Sequence, residues 1–408
     1  MSRRTTIALL ALGGLAAACS RDGSSSVTTV PVEVVTTDST TGSGVVVEPV
    51  ETTVPADDQR ARLASGDDWS VAAALADVPT AGGRTFEVYL ADIAQVASLF
   101  GLDRPASLDD VDAVVNEWIL PLSFPGTPEY RELPVWIPLA EPLVPAAVRQ
   151  VDEFDELVGW SVIDVDAYVH YQPQPPGYLL VATGTFGDDA LAGLDEVAPG
   201  VVTTRDADDF ATDFSEMSSL DRLGRAVRLA RDGDHIAMSL ATSLAERWLD
   251  GESETLADDT GLLAVAEALD AADVLTALLF RNDFAFVPGA GVTSAAQIEA
   301  MLALVDVTVP FDTVGIGWTV DAAGEPTVVV AYRALAAAGE LAEQLRAAYT
   351  DGTSVVTNQA IRDTIGARDL NVSVEGAVVT VTYHPGERFW WSAVQAAVVQ
   401  RDVPFVYR

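Results

Sequence analysis

The only cysteine in the 408-residue chain is Cys19. Nothing downstream of it can therefore be stapled by a disulfide, gathered around a thiolate-bound metal, or driven by a thiol nucleophile. Whatever folds must do so on its apolar core. Hydrophobic residues make up 49% of the chain, enough for one large domain or two intimate ones after residue 58.

A second absence narrows the chemistry further. All 23 basic residues are arginine, since the sequence contains no lysine. That excludes a phosphate loop ending in Gly-Lys-Ser/Thr, a lysine Schiff base, and a Ser-x-x-Lys nucleophile. No Gly-x-Ser-x-Gly elbow occurs either. The 61 acidic residues leave a net charge of −38, which argues against nucleic acid as a partner, because neutralising phosphates needs a basic patch. The same surface argues against adsorption to anionic headgroups. It is read here chiefly as a solubilising surface, with cation buffering or a basic partner as the functional alternative.

The amino terminus carries Arg3 and Arg4 followed by an apolar run from Ile7 to Ala18. The run is shorter than the ~20 apolar residues that cross a bilayer, so it reads as an export signal. It ends in Leu15-Ala16-Ala17-Ala18-Cys19-Ser20. This string resembles the lipobox of bacterial lipoproteins, although Leu15 stands four residues before the cysteine and Ala16 takes the usual leucine position. The resemblance implies cleavage before Cys19 and attachment of a diacylglyceryl group there, with acyl chains such as palmitate. The alternative is an ordinary cleaved signal with an incidental cysteine. Two or three acyl chains, at about 0.8 kcal/mol per buried methylene, hold a protein stably on a membrane. Ser2-Arg3-Arg4 also resembles a twin-arginine signal, with Thr6 where that motif prefers an apolar residue.

Residues 19–58 are dominated by Thr, Ser, Val and Pro without amphipathic period. Such a segment cannot offset its chain entropy by burial. A flexible tether of ~40 residues spans on the order of 35 Å, with an edge strand built from its valines as a minor alternative. The expected organisation is therefore signal peptide 1–18, tether 19–58, an N-terminal α+β segment 59–160, and two further units at 161–290 and 291–408.

Those last two units look alike. Val314, Ile316, Trp318 and Val320 alternate with smaller residues at strand period. A turn around Gly324 leads into Thr327 to Tyr332. Leu335, Ala338, Leu341, Ala342, Leu345 and Tyr349 then recur at helical spacing. A second hairpin, Leu370–Val374 and Ala377–Tyr383, turns at Glu375-Gly376, and Trp391, Val394 and Val398 mark a last helix. The earlier unit repeats the order: a hairpin Tyr168–Tyr171 with Tyr178–Phe186, a helix Ala190–Val197 capped by Asp188, a hairpin turning at Gly233, and a helix Ser243–Leu249. Gly177 to Gly233 and Gly324 to Gly376 span nearly equal lengths of chain. Between the units, Leu262–Leu269 reads as helix and Val274–Phe280 as strand. Near the start, Thr85–Leu90 reads as strand and Ile93–Phe100 as helix, a fragment of a further copy. The expected fold class is α+β: two divergent copies of hairpin-helix-hairpin-helix, with antiparallel sheets covered by helices on one face. One continuous sheet through both copies is the alternative.

Lipobox, threonine-rich tether and duplicated α+β units together resemble the uncharacterised lipoproteins of high-GC Gram-positive (actinobacterial) bacteria. The resemblance is one of plan and composition over most of the chain. It implies a cell-envelope protein, lipid-anchored at the extracytoplasmic face of the membrane through Cys19, and it supplies no catalytic residue.

Candidate chemistry is sparse. Of the three histidines, His170 lies in a strand, His235 follows a turn, and His384 ends a strand. None has a second ligand at metal-binding spacing; His170 and His384 meet only if the two units pack face to face. Asp206, Asp208, Asp209 and Asp213 offer oxygens for calcium, but they lack the glycine and glutamate of a helix-loop-helix site and read more simply as a solvated loop. Phe389-Trp390-Trp391 suits sugar stacking or core packing. Adjacent helical residues point about 100° apart, which favours the core for at least one. Trp136 and Trp160 read as core.

No cofactor or metal is expected. The leading expectation is a non-catalytic binding or envelope-assembly module that meets a protein or glycan partner. A carboxylate-dependent glycan hydrolase and a carrier for lipid or another small ligand are the rivals.

Overall fold

In a computed structural model the described residues are 62–123, 135–140, 142–143, 151–173, 177–251, 254–287, 294–386 and 391–408. Cys19, the signal, the tether, Phe389 and Trp390 lie outside them.

The strands are β1 (Phe86–Asp92), β2 (Val165–Pro173), β3 (Leu179–Gly184), β4 (Asp195–Ala198), β5 (Val201–Thr203) and β6 (Arg228–Asp232). They continue with β7 (His235–Ser239), β8 (Thr276–Arg281), β9 (Phe311–Val320), β10 (Pro326–Ala334), β11 (Ala367–Glu375) and β12 (Val378–Pro385). All join one 12-stranded sheet in the order β11-β12-β10-β9-β8-β1-β2-β3-β7-β6-β5-β4. Every neighbouring pair is antiparallel. The sheet is thus continuous, and β1 from the N-terminal segment sits near its centre, between β2 and β8.

The helices are α1 (Val71–Ala76), α2 (Ile93–Phe100), and α3, in which Val111–Ala113, π-helical Val114–Ile119 and Leu120–Ser123 follow one another. After these come α4 (Val151–Val158), α5 (Thr242–Asp250), α6 (Thr260–Asp270), α7 (Ala295–Leu302), α8 (Ala338–Asp351), α9 (Ile361–Ile365) and α10 (Trp391–Val399). Among the described residues no helix is long and apolar enough to cross a membrane.

Helices cover both faces of the sheet, not one as expected. On the first face, Tyr168, Leu180, Met238, Ile316, Val330 and Val381 pack with residues of α2, α3, α4, α8, α9 and α10. On the second, Val88, Val169, Val181, Leu279 and Val329 pack with α1, α5 and α6. The physical reason lies in the small residues of β9. Read alone, their alternation with Val314, Ile316 and Trp318 suggests an inside and an outside. Instead they mark a close approach. A Cβ on Gly315 would stand 2.5 Å from Val265 Cγ1, and one on Gly317 would stand 2.4 Å from Val274 Cγ1. Both faces are buried, and the glycines let α6 settle onto the backbone.

The expected helix Ala190–Val197 is absent. Ala190, Ala192 and Leu194 each donate to the carbonyl three residues back, and the chain then enters β4. Leu191 at φ 70, followed closely by Gly193, breaks the helical run before a second turn can form. The other expected elements appear within a few residues of their predicted bounds, though Leu335 stays outside α8 and is exposed.

Candidate functional site

The described part begins with a strap, residues 62–70, laid across the edge of the second face. Two carboxylates pin its far end. Asp92, at the end of β1, caps α2 by accepting Gln95 N–H at 2.9 Å on one oxygen, and accepts Gly66 N–H at 2.6 Å on the other. Asp270, the last residue of α6, accepts Val71 N–H at 2.6 Å and Ala72 N–H at 3.0 Å, one on each oxygen. Ser70 caps α1 through Ala73 N–H at 3.0 Å.

Between strap, α2, the α6–β8 corner and the end of β9 lies a groove of about 470 Å³. Its walls carry Trp69, Gln95, Asp270 and Thr319 as polar or aromatic groups, with Leu99, Val274 and Val320 as apolar ones. Asp67 and Asp273 line it as exposed acids. Trp69 is half-buried, yet its indole Nε1 is inaccessible to solvent and has no hydrogen-bond partner among the described residues. Burial raises the pKa of both pinning acids, against the bonds from their backbone partners. A general acid would have to carry its proton on a carboxyl whose two oxygens already accept amide N–H groups.

Sequence reasoning missed this site. Asp270 ends a helix, where the macrodipole disfavours a carboxylate, but Asp250 and Asp351 end helices too, so this mark did not single it out. Trp69 and Gln95 carried no such mark.

The sites expected from sequence lie elsewhere and stay apart. His170 and His384 occupy β2 and β12, with β1, β8, β9 and β10 between them, so a shared site is ruled out by the single sheet. His384 Nδ1 lies 3.1 Å from Pro326 O, and His235 Nε2 lies 2.7 Å from Leu63 O, bracing the strap. His170 is 1% exposed. Neither of its ring nitrogens has a partner among the described residues, its flanks are the rings of Tyr89 and Tyr178, and burial lowers its pKa to about 3.

Asp209 binds buried Arg228 at 3.0 Å and Thr242 N–H at 2.8 Å. Partial burial pushes its carboxyl up, but the bonds from Thr242 and Arg228 together hold it below the usual range. Asp213 caps Ser215, and Asp206 and Asp208 are exposed. These four therefore brace and flank a loop instead of converging on an ion. Among the described residues no group of three or more His, Cys, Asp or Glu side chains is arranged to hold a metal.

Trp136 and Trp160 are buried in the first-face core. Trp391 opens α10, its side chain lying outside the described residues. A second depression, about 570 Å³, is lined by Asp155, Glu156, Asp164 and Asp189. Burial raises the pKa of Asp155, helped by the neighbouring charges of Asp164, Asp189 and Glu156. An apolar hollow bounded by Ile93, Trp118, Leu122 and Ile137 measures about 10 Å³, below what a lipid or drug-sized ligand needs.

No family model, curated protein or solved structure matches the sequence.

Proposed function

We propose that the chain is a lipid-anchored, non-catalytic binding module of the cell envelope, held at the outer face of the membrane through Cys19, with the Trp69 groove as its ligand site. The observation that carries the ligand class is the partly exposed indole of Trp69 lining the groove beside Gln95, Asp67 and Asp273. A sugar ring offers an apolar face to stack on indole, with hydroxyls that donate to carboxylates and bond the Gln95 amide. A glycan is the ligand class these groups match.

The plan of the two halves also supports a duplicated scaffold. Each has an inner strand, β1 or β8, paired with the first strand of a hairpin. In each, the second strand of a later hairpin joins the first hairpin, β7 on β3 and β12 on β10. We read these as divergent copies about an axis between β1 and β8, with β4 and β5 added at one edge.

One observation favours the rival hydrolase: two carboxyls with raised pKa, Asp92 and Asp270, stand beside the groove. Binding assays on the full chain carrying Cys19→Ser separate the readings. With insoluble peptidoglycan, chitin and cellulose, at least one glycan should retain the protein, and Trp69→Ala should weaken retention about 10-fold, the scale of a lost stacking contact. No reducing ends should appear. Reducing ends that accumulate with Asp270 and vanish with Asp270→Asn would establish the hydrolase. The anchor has its own measurement: in cells, Cys19→Ser should move the protein out of the membrane fraction and abolish labelling by radioactive fatty acid.

A further inference from the structure

The loop between β5 and β6 presents an unusual surface. Phe210, Phe214, Met217 and Leu223 are 45%, 65%, 60% and 42% exposed. Scattered single exposed apolar residues need no explanation, but these four fall on one loop, and Phe214 and Met217 stand one 3-10 turn apart.

The loop is also braced to hold them out. Buried Arg228 grips Asp209 at 3.0 Å and the Ala207 carbonyl. Asp213 N–H donates to Leu223 O at 3.2 Å, tying the two arms together, and Arg225 clasps Asp221 through two bonds of 2.9 and 2.7 Å. Gly224, at φ +63, lies so close to Asp213 that a Cβ would stand 1.8 Å from its carbonyl oxygen. Phe210 itself sits at φ 64, a left-handed conformation that costs a bulky residue on the order of 1–3 kcal/mol.

Charge identifies the partner. Asp209, Asp213 and Asp221 are matched internally by Arg228, Arg205 and Arg225. Asp206, Asp208 and Glu216 are exposed, with no ion pair among the described residues. Arg222 is the counterweight, so the rim is acidic. Anionic headgroups would be repelled by it.

We propose that this loop docks a basic amphipathic segment of a partner protein, whose apolar side chains cover Phe214 and Met217 while its arginines or lysines meet Asp206, Asp208 and Glu216. This surface is independent of the Trp69 groove.

The test uses the full chain carrying Cys19→Ser and a fluorescein-labelled amphipathic helix made of leucine, alanine and arginine, titrated by polarisation in 0.15 M salt. The decisive variant, Phe214→Ser with Met217→Ser, leaves the net charge unchanged. General attraction of a cation to an acidic protein therefore survives it. At least 10-fold weaker binding by the variant, at an unchanged unfolding midpoint, is the expected result. Should the pair shift the midpoint, either single substitution carries the comparison. Equal affinity for parent and variant overturns the proposal. So does equal or better binding of the parent to phosphatidylglycerol vesicles through the same two residues, which would make the patch a membrane contact.

Discussion

Replacing Asp77 with alanine should lower the unfolding free energy by about 3–5 kcal/mol, the cost of leaving two buried donors and a partly buried guanidinium without their shared acceptor. Asp77 is fully buried and receives Arg62 Nη1 at 3.1 Å, Leu63 N–H at 3.0 Å and Trp248 Nε1 at 3.2 Å. The Arg62 guanidinium also lies over the Trp248 ring, 4.6 Å from its centroid, and pairs with Asp232. One carboxylate therefore joins the strap, α5 and the end of α1. Alanine would leave a guanidinium, an amide and an indole N–H competing for fewer acceptors. Urea unfolding of parent and variant measures the loss. Asp77→Asn, which keeps one acceptor oxygen, should fall between them. A loss under about 1 kcal/mol for alanine would show that the strap is not fastened there.

The second large effect is a pH dependence. His170 keeps a folded pKa of about 3 because burial excludes its charged form, against about 6.5 in an unfolded chain. Between those values the unfolded state holds a proton that the folded state refuses. The resulting penalty is absent above pH 6.5 and grows as pH falls, reaching roughly 4 kcal/mol by pH 3.5. Carboxylates titrate over the same range in parent and variant alike, so the quantity to read is the difference between parent and His170→Leu. That substitution should stabilise the protein by about 1–3 kcal/mol at pH 7, since it removes two buried nitrogens without partners among the described residues. The advantage should widen steadily as pH is lowered from 6.5 to 4. A difference in urea midpoint that stays flat over that range would place a hydrogen-bonded or hydrated histidine at this position.

Such a residue shows how unevenly the structure was written into local sequence. His170 reads as a strand histidine from its neighbours, and it is one. Its complete burial depends on which residues cover the first face, a fact no window around position 170 contains. The same holds for β9. The large-small alternation of Val314 to Trp318 was visible, but only the packing of α6 reveals that Gly315 and Gly317 are contact points and not a solvent side. Ala190 to Val197 failed for a different reason. Its composition is compatible with helix, yet isolated helices this short are marginal, and strand pairing of β4 with β5 offered the backbone a better set of partners.

By itself, the sequence determined the local elements and the chemistry ruled out. Hairpins at Gly233, Gly324 and Gly376, helices such as Ile93–Phe100, and the exclusion of lysine and downstream cysteine chemistry all follow from residues near one another or from composition. Tertiary structure alone decided the strand order, the burial of both sheet faces and the groove. The physical reason is separation along the chain. Val71 and Asp270, whose hydrogen bond closes the groove wall, are 199 residues apart. A carboxylate among 61 acids acquires such a role only when folding brings one particular amide to it.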